Sequence, residues 1–268
     1  MAGLSISKAW DETKQVIARD GGLLTTIALA LFVLPGVISE VATPAAPAGE
    51  MPKFGYWSVL SALALLISLA GQLAVIRLAI GSKSTVGEAI AHGMRRGPAY
   101  LLATLIWILP FVIPLALLVS AGMGAALNGN AGASLGTSLA TLVLIVALMF
   151  FAIRMLMSSS VASTESVGPL GIIRRSWDLT RGHWWRLFGF FVVFLIGVVI
   201  TVVAARMIAD IVAKLIFGSV DPLTVGALLV ALVVQIVSAG VSVLLMVMLA
   251  RIYAQLAGAE TTVPSSGT

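Results

Sequence analysis

From residue 97 to residue 153 the chain carries no Asp, Glu, Lys, Arg or His. A soluble domain has roughly one charged residue in four, so 57 residues without one cannot be folded and kept soluble in the ordinary way. The run is too long for a single bilayer crossing, which needs about 20 apolar residues. It suits two crossings, with Asn128, Gly129, Asn130 and Gly132 marking the turn between them. Pro110 and Pro114 are expected to kink the first of the two.

The remaining runs follow the same logic. Gly21–Ser39 forms a first span and 54–76 a second, ended by Arg77; 187–205 forms a fifth and 222–250 holds a sixth. Gly21–Ser39 has a rival reading as a cleavable signal peptide, because Ala42 opens a small-residue segment that reaches Ala48. Its match to a later, uncleavable segment favours the span. With 60% hydrophobic residues, 10% charged and a mean hydropathy of +1.10, the composition agrees with an all-α integral membrane protein of six transmembrane helices. One membrane domain is expected over residues 1–258, and a disordered tail over 259–268.

Between the spans lie three short charged segments. Lys8, Asp11, Glu12, Lys14, Arg19 and Asp20 crowd the first, where Ile6, Trp10, Thr13 and Ile17 recur at helical spacing. The second is Lys83–Arg96, with Thr85 three residues before Glu88 as a capping box. The third opens at Gly168-Pro169 and carries Trp177, Asp178, Thr180, Arg181, Trp184, Trp185 and Arg186. Each reads as an amphipathic helix on the membrane surface.

These segments share a pattern. Lys8-Ala9-Trp10-Asp11-Glu12-Thr13-Lys14 matches Arg175-Ser176-Trp177-Asp178-Leu179-Thr180-Arg181 as base, small, Trp, Asp, any, Thr, base. Leu34-Pro35 matches Leu109-Pro110, and each proline lies 13 residues after a glycine, Gly22 and Gly97. Arg77 and Arg154 close even-numbered spans and are each followed 11 residues later by a glutamate, Glu88 and Glu165. Arg251 stands at the matching place in the sixth span, with Thr262 where the acid would be. Three matches in one order predict three repeats of surface helix, span, span, covering about 4–80, 84–158 and 168–256. The glycines at 22, 97 and 182 should then mark the bend from surface helix into span.

Orientation follows from the basic residues. With the three surface helices on one side, that side holds 13 of the 16; Lys53, Arg206 and Lys214 remain on the other. Positive charge stays in the cytoplasm, so both termini are expected there, in a bacterial cytoplasmic (inner) membrane. The partners implied are anionic lipid headgroups on the cytoplasmic side rather than nucleic acid, because the basic residues flank apolar spans.

Two uses are open for Arg77, Arg154 and Arg251. They could converge as an anion or lipid-headgroup site, or each could snorkel to the interface from the end of its helix. Glu88 and Glu165 could pair with them or serve as helix-start acids. Paired, they would leave Arg251 as the free anion site. Arg206, Asp210 and Lys214 fall on one helical face, where local ion pairs or a relay are the alternatives. Gln72 and Gln235 are polar within spans, a placement explained by interhelical hydrogen bonds or by a solute path. No cofactor or metal is expected: Cys is absent, His92 and His183 lack a second ligand at helical spacing, and no phosphate-binding glycine loop or nucleophile elbow occurs.

Glu165, Gly168-Pro169, Arg174-Arg175-Ser176-Trp177-Asp178-Leu179-Thr180-Arg181-Gly182 and Trp185-Arg186-Leu187 together resemble the glycerophosphoryl diester phosphodiesterase membrane-domain family and its six-span bacterial inner-membrane relatives. The resemblance implies a multi-span helical membrane domain. It concerns the membrane part only, since the soluble catalytic domain fused to some members requires a His and Asp/Glu metal site for which this chain has no segment. The function expected is non-enzymatic, a membrane scaffold or lipid-interacting partner. A carrier or channel for lipid or a small anionic solute is the alternative, and a membrane-embedded enzyme of lipid metabolism is third.

Overall fold

The computed structural model describes residues 4–44, 55–81, 85–218, 220 and 224–261. Among these, regular structure is helical throughout, in nine α-helices and one π-helical turn. The helices are α1 (Ile6–Ala28), α2 (Leu34–Ala42), α3 (Tyr56–Ala79), α4 (Val86–Leu127), α5 (Ala131–Arg154), α6 (Ser158–Thr164), α7 (Pro169–Thr180), α8 (Trp184–Phe217) and α9 (Val225–Thr261). Six helical stretches are long and apolar enough to cross a membrane: Ile6–Ala42, Tyr56–Ala79, Val86–Leu127, Gly132–Thr164, Trp184–Phe217 and Val225–Gly258. Large apolar side chains such as Leu127, Leu139, Val193 and Leu215 lie on the outside. Water would not tolerate so much exposed hydrocarbon, whereas acyl chains do.

Contacts divide the chain into two compact units, Met1–Gly97 with Gly189–Thr268, and Pro98–Phe188. In the first, α1, α2, α3 and α9 pack around Ile27, Ala74, Val75, Ile76 and Val247. Its close approaches depend on small residues. A Cβ added at Gly71 would meet Leu31 Cβ at 2.8 Å, and one at Gly36 would meet Gln235 Oε1.

Pro35 explains the irregular turn Leu29–Val33. Lacking an N–H, it cannot bond the carbonyl four residues back, that of Leu31. The helix passes the site through a π turn, in which the Leu34 N–H reaches Leu29 O. The Ser68 hydroxyl of α3 donates to the orphaned Leu31 carbonyl at 3.3 Å. One turn on, Ser39 and Ser61 share a hydrogen bond of 2.8 Å. A polar side chain thus replaces the backbone donor that proline removed, as an apolar surrounding requires.

The bends expected at Gly22 and Gly97 do not form. Gly22 lies inside α1 and Gly97 inside α4, so both surface segments continue into their spans without a break. A glycine inside a helix costs only about 1 kcal/mol, and nothing nearby breaks either helix. α4 has 42 residues, roughly 63 Å at 1.5 Å per residue, twice the hydrocarbon thickness of about 30 Å. Only Gly182 turns the chain, with a positive φ of 84° between α7 and α8. Pro98, Pro110 and Pro114 are carried within α4.

Other expectations hold. α4 ends at Leu127, Gly129 takes φ +69°, and the Asn130 side chain caps α5 by accepting from Ala133 N–H at 3.1 Å. Pro169 opens α7 at its first turn. α9 continues to Thr261; residues 262–268 of the expected tail lie outside the described residues.

Candidate functional site

Arg77 and Arg154 occupy the last turns of α3 and α5, where a cation favours the negative end of the helix dipole. Arg251 does not end its helix, since α9 runs on. Each arginine has its own surroundings.

In the unit Pro98–Phe188, Arg154 is held among aromatic rings. Its guanidinium carbon lies 4.8 Å from the Trp177 ring centroid and 5.5 Å from that of Phe150. Trp177 in turn meets Phe151 at 5.5 Å and Phe150 at 6.2 Å, and Trp184 meets Phe150 at 5.5 Å. A cation over such faces gains from the ring quadrupoles, more as water is removed. The guanidinium Nε and Nη1 are buried and have no hydrogen-bond partner. Among the described residues no carboxylate pairs with it.

The backbone here is better satisfied than the side chain. The Arg154 carbonyl, unpartnered at the helix end, accepts from the Ser176 hydroxyl at 2.8 Å and from Thr180 Oγ1 at 3.4 Å. Ser176 and Thr180, both fully buried, therefore fasten α7 to the end of α5. That places Trp177, between them in sequence, over the arginine. Glu165 pairs with Arg175 at 3.0 Å, so its charge is spent within the loop that leads into α7.

In the other unit, Arg77 Nη1 donates to His92 Nδ1 at 3.2 Å. Glu88 takes the helix-start role: its carboxylate accepts from Thr85 N–H at 2.9 Å while Thr85 Oγ1 accepts from Glu88 N–H at 3.3 Å. Arg251 has an acid within electrostatic reach, Asp20, which is also bonded by Arg19 at 2.6 Å. The acid near Arg251 thus comes from α1 and not from a glutamate 11 residues further on.

The surface segments dock in a common way. Ala9 and Thr13 are fully buried, with Thr13 Oγ1 donating to Ala9 O at 2.7 Å. This part of α1 lies on α9, and Ser5 N–H donates to Gln255 Oε1 at 3.2 Å. Ala89 is fully buried, and a Cβ at Gly93 would come within 2.2 Å of Ala70 O in α3. With Ser176 and Thr180 at the end of α5, the three segments each carry two buried small residues four apart.

The remaining motif residues face outward. Trp10 is 41% and Trp185 77% exposed, suited to an interface where an amphipathic ring meets both phases. Asp11 pairs with Lys14 at 2.7 Å, an exposed contact worth little. Asp178, Arg181 and Arg186 are exposed.

Glu40 was not singled out by the sequence. It accepts from Gln235 Nε2 at 3.1 Å and faces Arg206 at 3.8 Å. Arg206 therefore turns to α2, not to a partner on its own helix. Gln235 makes the interhelical bond expected of a polar residue within a span. The signal was present in outline: an acid at the end of span one, a mid-span glutamine and a rare outer arginine.

No curated protein and no solved structure matches the chain significantly. A family model described as Domain of unknown function (DUF7847) matches residues 4–256, nearly the whole sequence. The chain belongs to that family.

Proposed function

We propose that this chain is a non-enzymatic multi-span protein of a bacterial cytoplasmic membrane. Both termini are cytoplasmic, and it binds anionic phospholipid headgroups along that side as a lipid-interacting scaffold or partner protein. The observation that carries the reading is Arg154. A half-buried guanidinium with two enclosed, unpartnered nitrogens is expensive to maintain beside hydrocarbon. Here the aromatic box holds the cation while two nitrogens remain without acceptors. A phosphodiester supplies the missing acceptors and the countercharge. Trp10 and Trp185 are exposed, as tryptophans that anchor at a headgroup interface would be.

The tripled architecture belongs to this proposal. The paired small residues Ala9 and Thr13, Ala89 and Gly93, and Ser176 and Thr180 support it, since each charged segment carries such a pair four residues apart and buried. The resemblance to the phosphodiesterase membrane domains around residues 165–187 supports it too.

Arg154→Gln tests the reading. Native mass spectrometry of the detergent-purified protein with dioleoyl phosphatidylglycerol should show about a tenfold loss of adducts, the size of one charge-assisted contact of ~1.5 kcal/mol. Trp177→Leu should lose part of that, and Arg251→Gln less than Arg154→Gln, because Asp20 lies beside Arg251. Unchanged adducts in Arg154→Gln would refute the site.

A further inference from the structure

A second polar cluster lies at the opposite end of the first unit. A cavity of about 400 Å3 is walled by the last turn of α2, the second half of α8 and the first turns of α9. Ala231 on its wall and Arg251 are separated by 20 residues of one helix, roughly 30 Å. The cavity therefore lies toward the opposite end of α9 from Arg251. Among the described residues, its charged residues are Glu40, Arg206 and Asp210, with Thr43 and Thr224 beside them and Val41 and Leu228 among the apolar walls.

The charges do not cancel internally. Glu40 has its partners in Gln235 at 3.1 Å and Arg206 at 3.8 Å. The second contact is long for a guanidinium–carboxylate pair, so most donors of Arg206 are unused. Asp210, one turn further along α8 and half-buried, has no partner among the described residues. The cavity thus offers a cation with unused donors and an unpartnered carboxylate on one face of α8, four residues apart, where Cβ atoms lie about 5–6 Å from each other. A purely anionic ligand would meet two carboxylates, and a simple cation would meet Arg206.

We propose that this cavity binds a phosphodiester bearing a primary amine, the headgroup of an ethanolamine phospholipid in the outer leaflet. The phosphate bonds Arg206 and the ammonium bonds Asp210. Phosphate and ammonium are separated by two carbons in that headgroup, a reach that fits one helical turn. A primary ammonium has N–H donors for the Asp210 carboxylate. A quaternary choline has none, and among the described residues the cavity wall contains no aromatic ring to cage it. The lipid, not the free phosphoamine, is the occupant because α8 presents Met207, Ile208 and Ile211 to the outside beside the two charges, where acyl chains would lie.

Native mass spectrometry of the full chain, titrated with dioleoyl lipids carrying ethanolamine, choline or glycerol headgroups, tests this. The ethanolamine lipid should bind at least fivefold more tightly than the choline lipid. Asp210→Asn should abolish that preference, Asp210→Glu should restore it in part, and Arg206→Gln should lower ethanolamine lipid binding about tenfold. Soluble O-phosphoethanolamine at millimolar concentration should not displace the lipid; if it does, the occupant is the free phosphoamine and the lipid assignment falls. Equal binding of the ethanolamine and choline lipids, or a preference that survives Asp210→Asn in protein with wild-type circular dichroism, overturns the proposal. Failure here is separable from failure at Arg154, because Arg154→Gln should leave the ethanolamine preference intact and Asp210→Asn should leave phosphatidylglycerol binding intact.

Discussion

Gly93 and Gly97 lie one turn apart in α4, and replacing each by alanine should change stability in opposite directions. A Cβ at Gly93 would stand 2.2 Å from the Ala70 carbonyl oxygen, 3.0 Å from its carbon and 3.3 Å from its Cα. All three atoms are backbone, so no side chain can swing aside. Restoring an ordinary separation of about 3.5 Å requires the start of α4 to retreat from α3 by roughly 1 Å. Overpacking of this kind costs ~1–3 kcal/mol. Alanine returns about 0.5–1 kcal/mol by restricting the unfolded chain. The net expectation for Gly93→Ala is a loss of about 1–2 kcal/mol. At Gly97 an added Cβ meets nothing within 4 Å and the residue is helical, so Gly97→Ala should gain about 0.5–1 kcal/mol. Thermal unfolding in one mild detergent, followed by circular dichroism at 222 nm, should rank Gly97→Ala above wild type and wild type above Gly93→Ala. Equal stability of the two variants would refute the close contact of α4 with α3. A loss at Gly97 would revive the bend that its sequence position suggested.

Gly182→Ala should lower stability by about 1–2 kcal/mol, because φ is +84° there and a Cβ opposes that conformation; a drop in Tm with unchanged helical signal at low temperature is the expected result, and an unchanged Tm would contradict it. The orientation is checked with single cysteines at Ser39 and Ser265 in a chain that has none of its own, which an impermeant maleimide should label from opposite faces of the membrane; labelling from the same face would overturn cytoplasmic termini.

The spans were legible because they depend on additive, one-dimensional quantities. Charge-free length and helical hydrophobicity marked six crossings without reference to any partner. Local rules worked as well where all participants lie within a few residues: the Thr85–Glu88 capping box, the turn at Asn128–Asn130 and Pro169 at the start of α7. The bends failed for a related reason. A glycine permits a turn but does not require one, and of Gly22, Gly97 and Gly182 the last alone adopts a positive φ. Whether the others bend depends on what the flanking helices pack against.

Partner choice could not be read in the same way. Equal spacing from Arg77 to Glu88 and from Arg154 to Glu165 suggested equal pairings, yet Glu88 turns to Thr85 and Glu165 to Arg175. Arg251, without an acid at that spacing, has Asp20 near it from the far end of the chain. Nor does any short-range pattern bring Glu40 to Gln235, 195 positions away. Hydrophobic periodicity is a property of each helix alone. Which carboxylate meets which guanidinium depends on the packing of distant helices, and this chain's tertiary structure settles it through the small residues that let Gly36 approach Gln235 and Ser176 reach the end of α5.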